Sequence, residues 1–159
     1  AQAAFALGAV SLAGVPGQIA LGQLSDRIGR EPVWTIASVG FVLTYVALLA
    51  LPAHPTPVLL WTMVLLQGVL GYGMTSVFGA IPAELFEGRH YGSIFGVLSL
   101  ASIGGGALGP FVAGAIHDAT GSYALAFWIA IGASLLSVVG IWLAAPRRVR
   151  AVAGRVSAA

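Results

Sequence analysis

Ionisable side chains are scarce in this sequence, and where they gather limits the chemistry it can perform. The stretch GQLSDRIGRE, residues 22–31, holds Asp26, Arg27, Arg30 and Glu31 within ten positions. No charge precedes it, and none follows between residues 32 and 83. His54, His90 and His117 fall in three separate connections between apolar stretches, so they cannot share a metal ion. Gly104, Gly106 and Gly109 fit the dinucleotide-binding spacing G-x-G-x-x-G, but that site needs a strand before it and an acid about 20 residues after it. Neither is present, so no cofactor is expected. Asp118 beside His117 reads as the end of an apolar stretch, with a proton-coupling role as the sharper alternative. The 22–31 cluster is the chemistry that remains.

The elements that must carry this cluster follow from composition. The chain is 58% hydrophobic and 8% charged, against roughly 45–50% and about 25% in a soluble domain. Its mean hydropathy is +0.97. Five stretches reach the roughly 20 apolar residues that a membrane-spanning helix needs: 3–24, 33–51, 58–83, 92–116 and 123–145. Period-two alternation is absent and the runs are far longer than barrel strands, so the fold class is all-α, a polytopic membrane protein of five spans. Four charges cannot stay in hydrocarbon, where each costs about 2.5–3.5 kcal/mol even on the lenient insertion scale. Residues 22–31 are therefore the turn between spans one and two, with Gly29 ending the first helix in a left-handed conformation and Glu31-Pro32 starting the next. An enzyme working at this depth would need paired acids, histidines or a serine–base dyad inside the spans. None exists, so no enzymatic activity is expected.

All seven basic residues are arginines: Arg27 and Arg30, then Arg89, then Arg147, Arg148, Arg150 and Arg155. The connections around His54 and Asp118 carry none. By the positive-inside rule the turn at 22–31, the segment 84–91 and the tail at 146–159 are cytoplasmic. The tail reads as a headgroup anchor, with a lipid or nucleic-acid site as the alternative; no nucleic-acid partner is expected. An outward-facing start, with neither initiator methionine nor signal peptide, leads us to expect a piece of a longer protein, an integral protein of the cell membrane.

Glycine sorts the helices further. Spans one and three each hold four, span four holds seven, span two has only Gly40, and span five has Gly132 and Gly140. Small residues mark close helix contact in membranes, so spans one, three and four are expected to be central and spans two and five peripheral. Gly22→Val should then be damaging and Gly40→Val mild. Polar side chains follow the same division: Gln18 in span one, Gln67 and Tyr72 in span three, Ser99 and Ser102 in span four. These line a candidate substrate cavity, or else the glutamines make structural interhelical hydrogen bonds.

The residues Gly22, Leu24, Asp26, Arg27, Gly29 and Arg30 resemble the cytoplasmic loop motif of the major facilitator superfamily, G-x-L-x-D-R-x-G-R-R/K, with Glu31 replacing the final base. PAELFEGRHYGSIFG (82–96) and GGGALGPFVAGAIHDATGSYALAFW (104–128) resemble the last helices of that family's second half, with closest likeness to monocarboxylate and oxalate/formate-type carriers. The resemblance implies five helices, eight to twelve, of a six-helix bundle spanning residues 1–145. A first-half placement, helices two to six, is the alternative. Against it, Gln67 stands where a first half usually carries arginine, and the chain stops soon after span five.

The resemblance also implies secondary transport of a small solute by alternating access, the partners being membrane lipid, the solute and the N-terminal half of the same transporter. Asp26 would brace the cytoplasmic helix ends, Arg27 and Arg30 would pair across the seam, and Gly22 and Gly29 would permit close approach. Gly105, Gly109, Pro110 and Gly114 would form a bending and packing stretch. With no charge inside any span, an anionic solute such as a monocarboxylate would take its counter-charge from the other half; otherwise the solute is neutral. The rival reading is a five-helix scaffold or accessory subunit without transport of its own.

Overall fold

A computed structural model describes residues 2–86, 88 and 90–144. The expectations placed on Arg89 and on the arginine tail at 146–159 lie outside the described residues. Every regular element is helical: α1 (Gln2–Ile28), α2 (Arg30–Ala50), α3 (Pro57–Leu65), a π-helical turn (Leu66–Gly71), α4 (Gly73–Phe78), α5 (Ala80–Leu85), α6 (Tyr91–Thr120) and α7 (Ala124–Ala144). The pieces from α3 to α5 form one span, so among the described residues five spans are long and apolar enough to cross a membrane.

Local chemistry sets the boundaries. Charge does not end α1, which runs through Asp26 and Arg27 to Ile28. The turn to α2 is Gly29 alone, at φ 101° and ψ 165°, and its N–H donates to the Ser25 carbonyl at 3.0 Å. The expected left-handed helix end is thus replaced by a positive-φ, extended conformation that is essentially confined to glycine. Pro32 sits in the first turn of α2, where its missing N–H costs nothing. Thr56 caps α3 by accepting from the Leu59 N–H, and Pro57 takes the first helical position. Pro82 donates no hydrogen bond to the preceding turn, so α4 and α5 separate at Gly79 while the backbone there stays helical at φ −76° and ψ −30°. Gly121 ends α6 in the left-handed conformation at φ 70°, its N–H 2.7 Å from the His117 carbonyl.

Packing only partly follows the glycine sorting. Spans one and three do meet closely: an ideal Cβ on Gly17 would stand 2.4 Å from the Val69 carbonyl oxygen, and one on Gly68 2.7 Å from the Ala13 Cβ. Span two is not peripheral among the described residues. Val33, Ala37, Ser38, Gly40 and Thr44 are buried, and α2 packs against both span three and α7. Span four is not central either. No residue of α6 is buried, and a Cβ on any of its glycines would meet nothing within 4 Å. Glycine content marks a helix able to approach another closely, and only a present neighbour turns that into burial.

Candidate functional site

The charge cluster is built around Arg30. Its position at the start of α2, one residue past the Gly29 turn, sends its side chain back over the end of α1. Nη1 donates to Asp26 Oδ1 at 2.6 Å and also to Ser25 Oγ, while Nε donates to Glu84 Oε1 at 2.8 Å. Ser25 is buried and donates its own proton to the Gly22 carbonyl at 2.8 Å, so it meets Arg30 as an acceptor. Three spans are tied at one guanidinium: span one through Asp26 and Ser25, span two through Arg30, span three through Glu84. The Arg30 side chain is 15% exposed and Glu84 30%, against 60% for Asp26. The bond to Glu84 is consequently the stronger one, of the class of hydrogen bonds to charged groups worth about 1.5–3 kcal/mol, and the pair with Asp26 is largely screened.

Other expected residues fall in different places. Gly22 and Gly29 flank the cluster. Arg27 is exposed and makes no ion pair among the described residues. Gln18 is half-buried on span one, and Tyr72 is half-buried in the contact between spans one and three, its ring 3.0 Å from the Cβ position of Gly14. Gln67 lies in the π turn, and its carbonyl accepts from the Tyr72 N–H at 3.1 Å. Ser99 and Ser102 are on α6, which packs appreciably only on α5 and α7, so the structure does not bring them to Gln18, Gln67 and Tyr72. Gly105, Gly109, Pro110 and Gly114 lie in the unbroken α6 helix. Gly109 and Pro110, with Tyr45 and Phe127, border an apolar cleft of about 520 Å3 between α2, α6 and α7.

Glu84 is the site residue that sequence reading left unassigned. It stands in the PAEL segment that carried the resemblance, but its partner is 54 positions away, and pairing across that distance is invisible to spacing. Equally hidden was the seam between α2 and α7. There the Trp34 Nε1 donates to Ser137 Oγ and the Trp142 Nε1 to Thr35 Oγ1, each at 3.0 Å.

The five helical spans are those that hydropathy led one to expect, and comparison with known proteins settles the family. Residues 1–158 match the profile described as Major Facilitator Superfamily. The chain belongs to the Major Facilitator Superfamily. It is an integral membrane protein of that superfamily, and its relatives are named as transporters. Over 145 residues it is 30% identical to monocarboxylate transporter 13 of Rattus norvegicus, covering 91% of this chain and 33% of that protein. A triacylglyceride transporter of Mycobacteroides abscessus is 29% identical over 126 residues, covering 79% and 24%. The MFS-type transporter avaJ of Aspergillus versicolor is 29% identical over 156 residues, covering 89% and 29%. The chain thus spans a third or less of the length of these superfamily relatives. No solved structure matches.

Proposed function

We propose that this chain is one membrane bundle of a secondary carrier that moves a small solute by alternating access, and that the Asp26–Arg30–Glu84 cluster closes one face of it. The observation that carries this reading is the single guanidinium joining three spans at one end of the bundle. Two bundles that rock about a central site need a contact that holds one end shut and can be released as a unit. A charge-assisted cluster that fixes three helix ends of this bundle gives the other bundle a defined face to close against, and water can replace its bonds when that face reshapes. Helices eight to twelve are the placement we favour, with the remaining bundle supplied by sequence outside this chain. The cluster and the C-terminal tail face the cytoplasm of the cell membrane on this reading.

Gln18, Gln67 and Tyr72 supply this bundle's part of the solute site by neutral hydrogen bonding. The likeness to a monocarboxylate transporter makes a small organic anion the first solute to try, with its counter-charge provided from the other bundle. The test is uptake of a radiolabelled monocarboxylate panel, lactate and pyruvate included, by proteoliposomes of the whole transporter. Glu84→Gln and Asp26→Asn should insert normally. Losing the Glu84 bond shifts the balance between the two faces by about ten- to a hundredfold, and uptake per inserted molecule falls accordingly. Wild-type uptake by Glu84→Gln would reduce the cluster to a solvated turn.

A further inference from the structure

Two polar side chains stand in the middle of span three with nothing in this chain to bond them. Among the described residues the Gln67 carboxamide and the Tyr72 hydroxyl make no hydrogen bond, although both residues are half-buried. The buried polar atom left without a partner is Ser38 Oγ, so the polar atoms of Gln67 and Tyr72 reach the surface of the bundle. Gln67 lies ten residues past Pro57, where the span starts. At about 1.5 Å per residue that is about 15 Å, half of a hydrocarbon core of about 30 Å. An unbonded amide or phenol at that depth is costly, so the partner comes from outside this chain.

On a regular α-helix, residues five apart lie about 140° apart around the axis, at about 100° per residue. Span three is wound more widely here. The Tyr72 N–H donates to the Gln67 carbonyl at 3.1 Å, which closes a turn over five residues instead of four. Tyr72 therefore stands one turn past Gln67 on nearly the same face. Helical side chains lean back toward the start of their helix, so the Tyr72 ring leans over residues 67 and 68, and Gly68 has no side chain to intervene. Packing holds this arrangement from two sides. A Cβ on Gly17 would lie 2.4 Å from the Val69 carbonyl oxygen, and one on Gly40 2.4 Å from the Leu70 Cβ. The wide turn is clamped between spans one and two, and the alignment exists before any solute arrives.

We propose that the π turn makes Gln67 and Tyr72 a single hydrogen-bonding site, which takes one carboxylate of the solute between the Gln67 carboxamide N–H and the Tyr72 O–H. The proposal rests on the carrier reading given above and adds to it the group that is bound and the backbone feature that builds the site. Two donors on one face match the two oxygens of one carboxylate, whereas a solute hydroxyl would engage them less fully. Both donors are neutral, so the charge of the anion is balanced from the other bundle.

A double-mutant cycle on KM tests whether the two residues act as one. KM for lactate and for pyruvate is measured in proteoliposomes of the whole transporter carrying Gln67→Leu, Tyr72→Phe or both. KM does not depend on how much protein inserts, so a purely structural role would lower the amount inserted and leave KM alone. Each single substitution should raise KM about tenfold or more, the scale of a hydrogen bond to a charged group. The double variant should fall short of the product of the two factors by about threefold or more, because either loss spoils the same bound group. If the factors simply multiply, the residues meet the solute separately; the joint site is refuted and the carrier reading stands. Saturable uptake with KM unmoved by either substitution refutes the site and again leaves the carrier. If the whole transporter takes up no monocarboxylate at all, the carboxylate assignment falls together with the solute proposed above. Gln67→Met replaces Gln67→Leu should that variant fail to insert.

Discussion

Gly40 and Gly22 exchange the roles that their spans suggested, and the consequence is measurable. An ideal Cβ on Gly40 would lie 2.4 Å from the Leu70 Cβ, 3.2 Å from the Gly71 nitrogen and 3.3 Å from the Leu66 carbonyl oxygen. None of these is the end of a flexible side chain. To restore an ordinary carbon contact of about 3.5–4.0 Å, α2 and span three must part by about 1.1–1.6 Å. Overpacking of this kind costs about 1–3 kcal/mol. A Cβ on Gly22 would instead meet Ser76 at 3.7 Å, an ordinary contact, and alanine relieves a helical glycine penalty of about 0.5–1 kcal/mol. The assay is thermal unfolding of the Gly→Ala variants in mild detergent, followed by intrinsic tryptophan fluorescence. At about 2–4 °C per kcal/mol for a chain of this size, Gly40→Ala should lower Tm by about 2–12 °C. Gly22→Ala should match or exceed wild type. A larger loss for Gly22→Ala than for Gly40→Ala would refute the close packing of α2 on span three.

Gly29→Ala should destabilise the chain by about 1–3 kcal/mol, because φ 101° with ψ 165° excludes a side chain; the loss is read as a drop in Tm in the same assay. Trp34→Phe and Trp142→Phe each remove one indole bond across the seam between α2 and α7, so each should cost about 0.6 kcal/mol and the double variant about the sum; a single variant as damaging as the double would show the two bonds act as one. Topology is tested with exposed positions: Ser122→Cys should react with an impermeant thiol reagent added outside intact cells, and Arg27→Cys only after permeabilisation. Ser25 is unsuitable for this purpose because it is buried beneath Arg30.

Hydropathy made the five spans legible because it is a property of each stretch by itself. The motif Gly22–Arg30 was legible for a similar reason, since its members lie within one turn and the two helix ends that flank it. What escaped depends on pairs far apart in the chain. Glu84 meets Arg30 across 54 positions, and Trp34 meets Ser137 across 103. The central role assigned to span four failed because glycine spacing records what a helix can pack against, whereas burial depends on which neighbours are there.

The bare surface of α6 bears on how the chain enters the membrane. Later helices of a polytopic protein can be helped across by earlier ones that shelter their polar groups. Among the described residues α6 packs appreciably only on α5 and α7 and none of its residues is buried, so the helices that precede it in this chain give Ser93, Ser102 and most of its seven glycines little shelter. Its insertion gains little from those helices, and a mean hydropathy of 1.6 over its most apolar 18 residues lets it enter on its own account. Replacing Leu98, Leu108 or Phe111 by polar residues would be felt first at the translocon, as failed integration of the α6–α7 hairpin, before any question of packing arises.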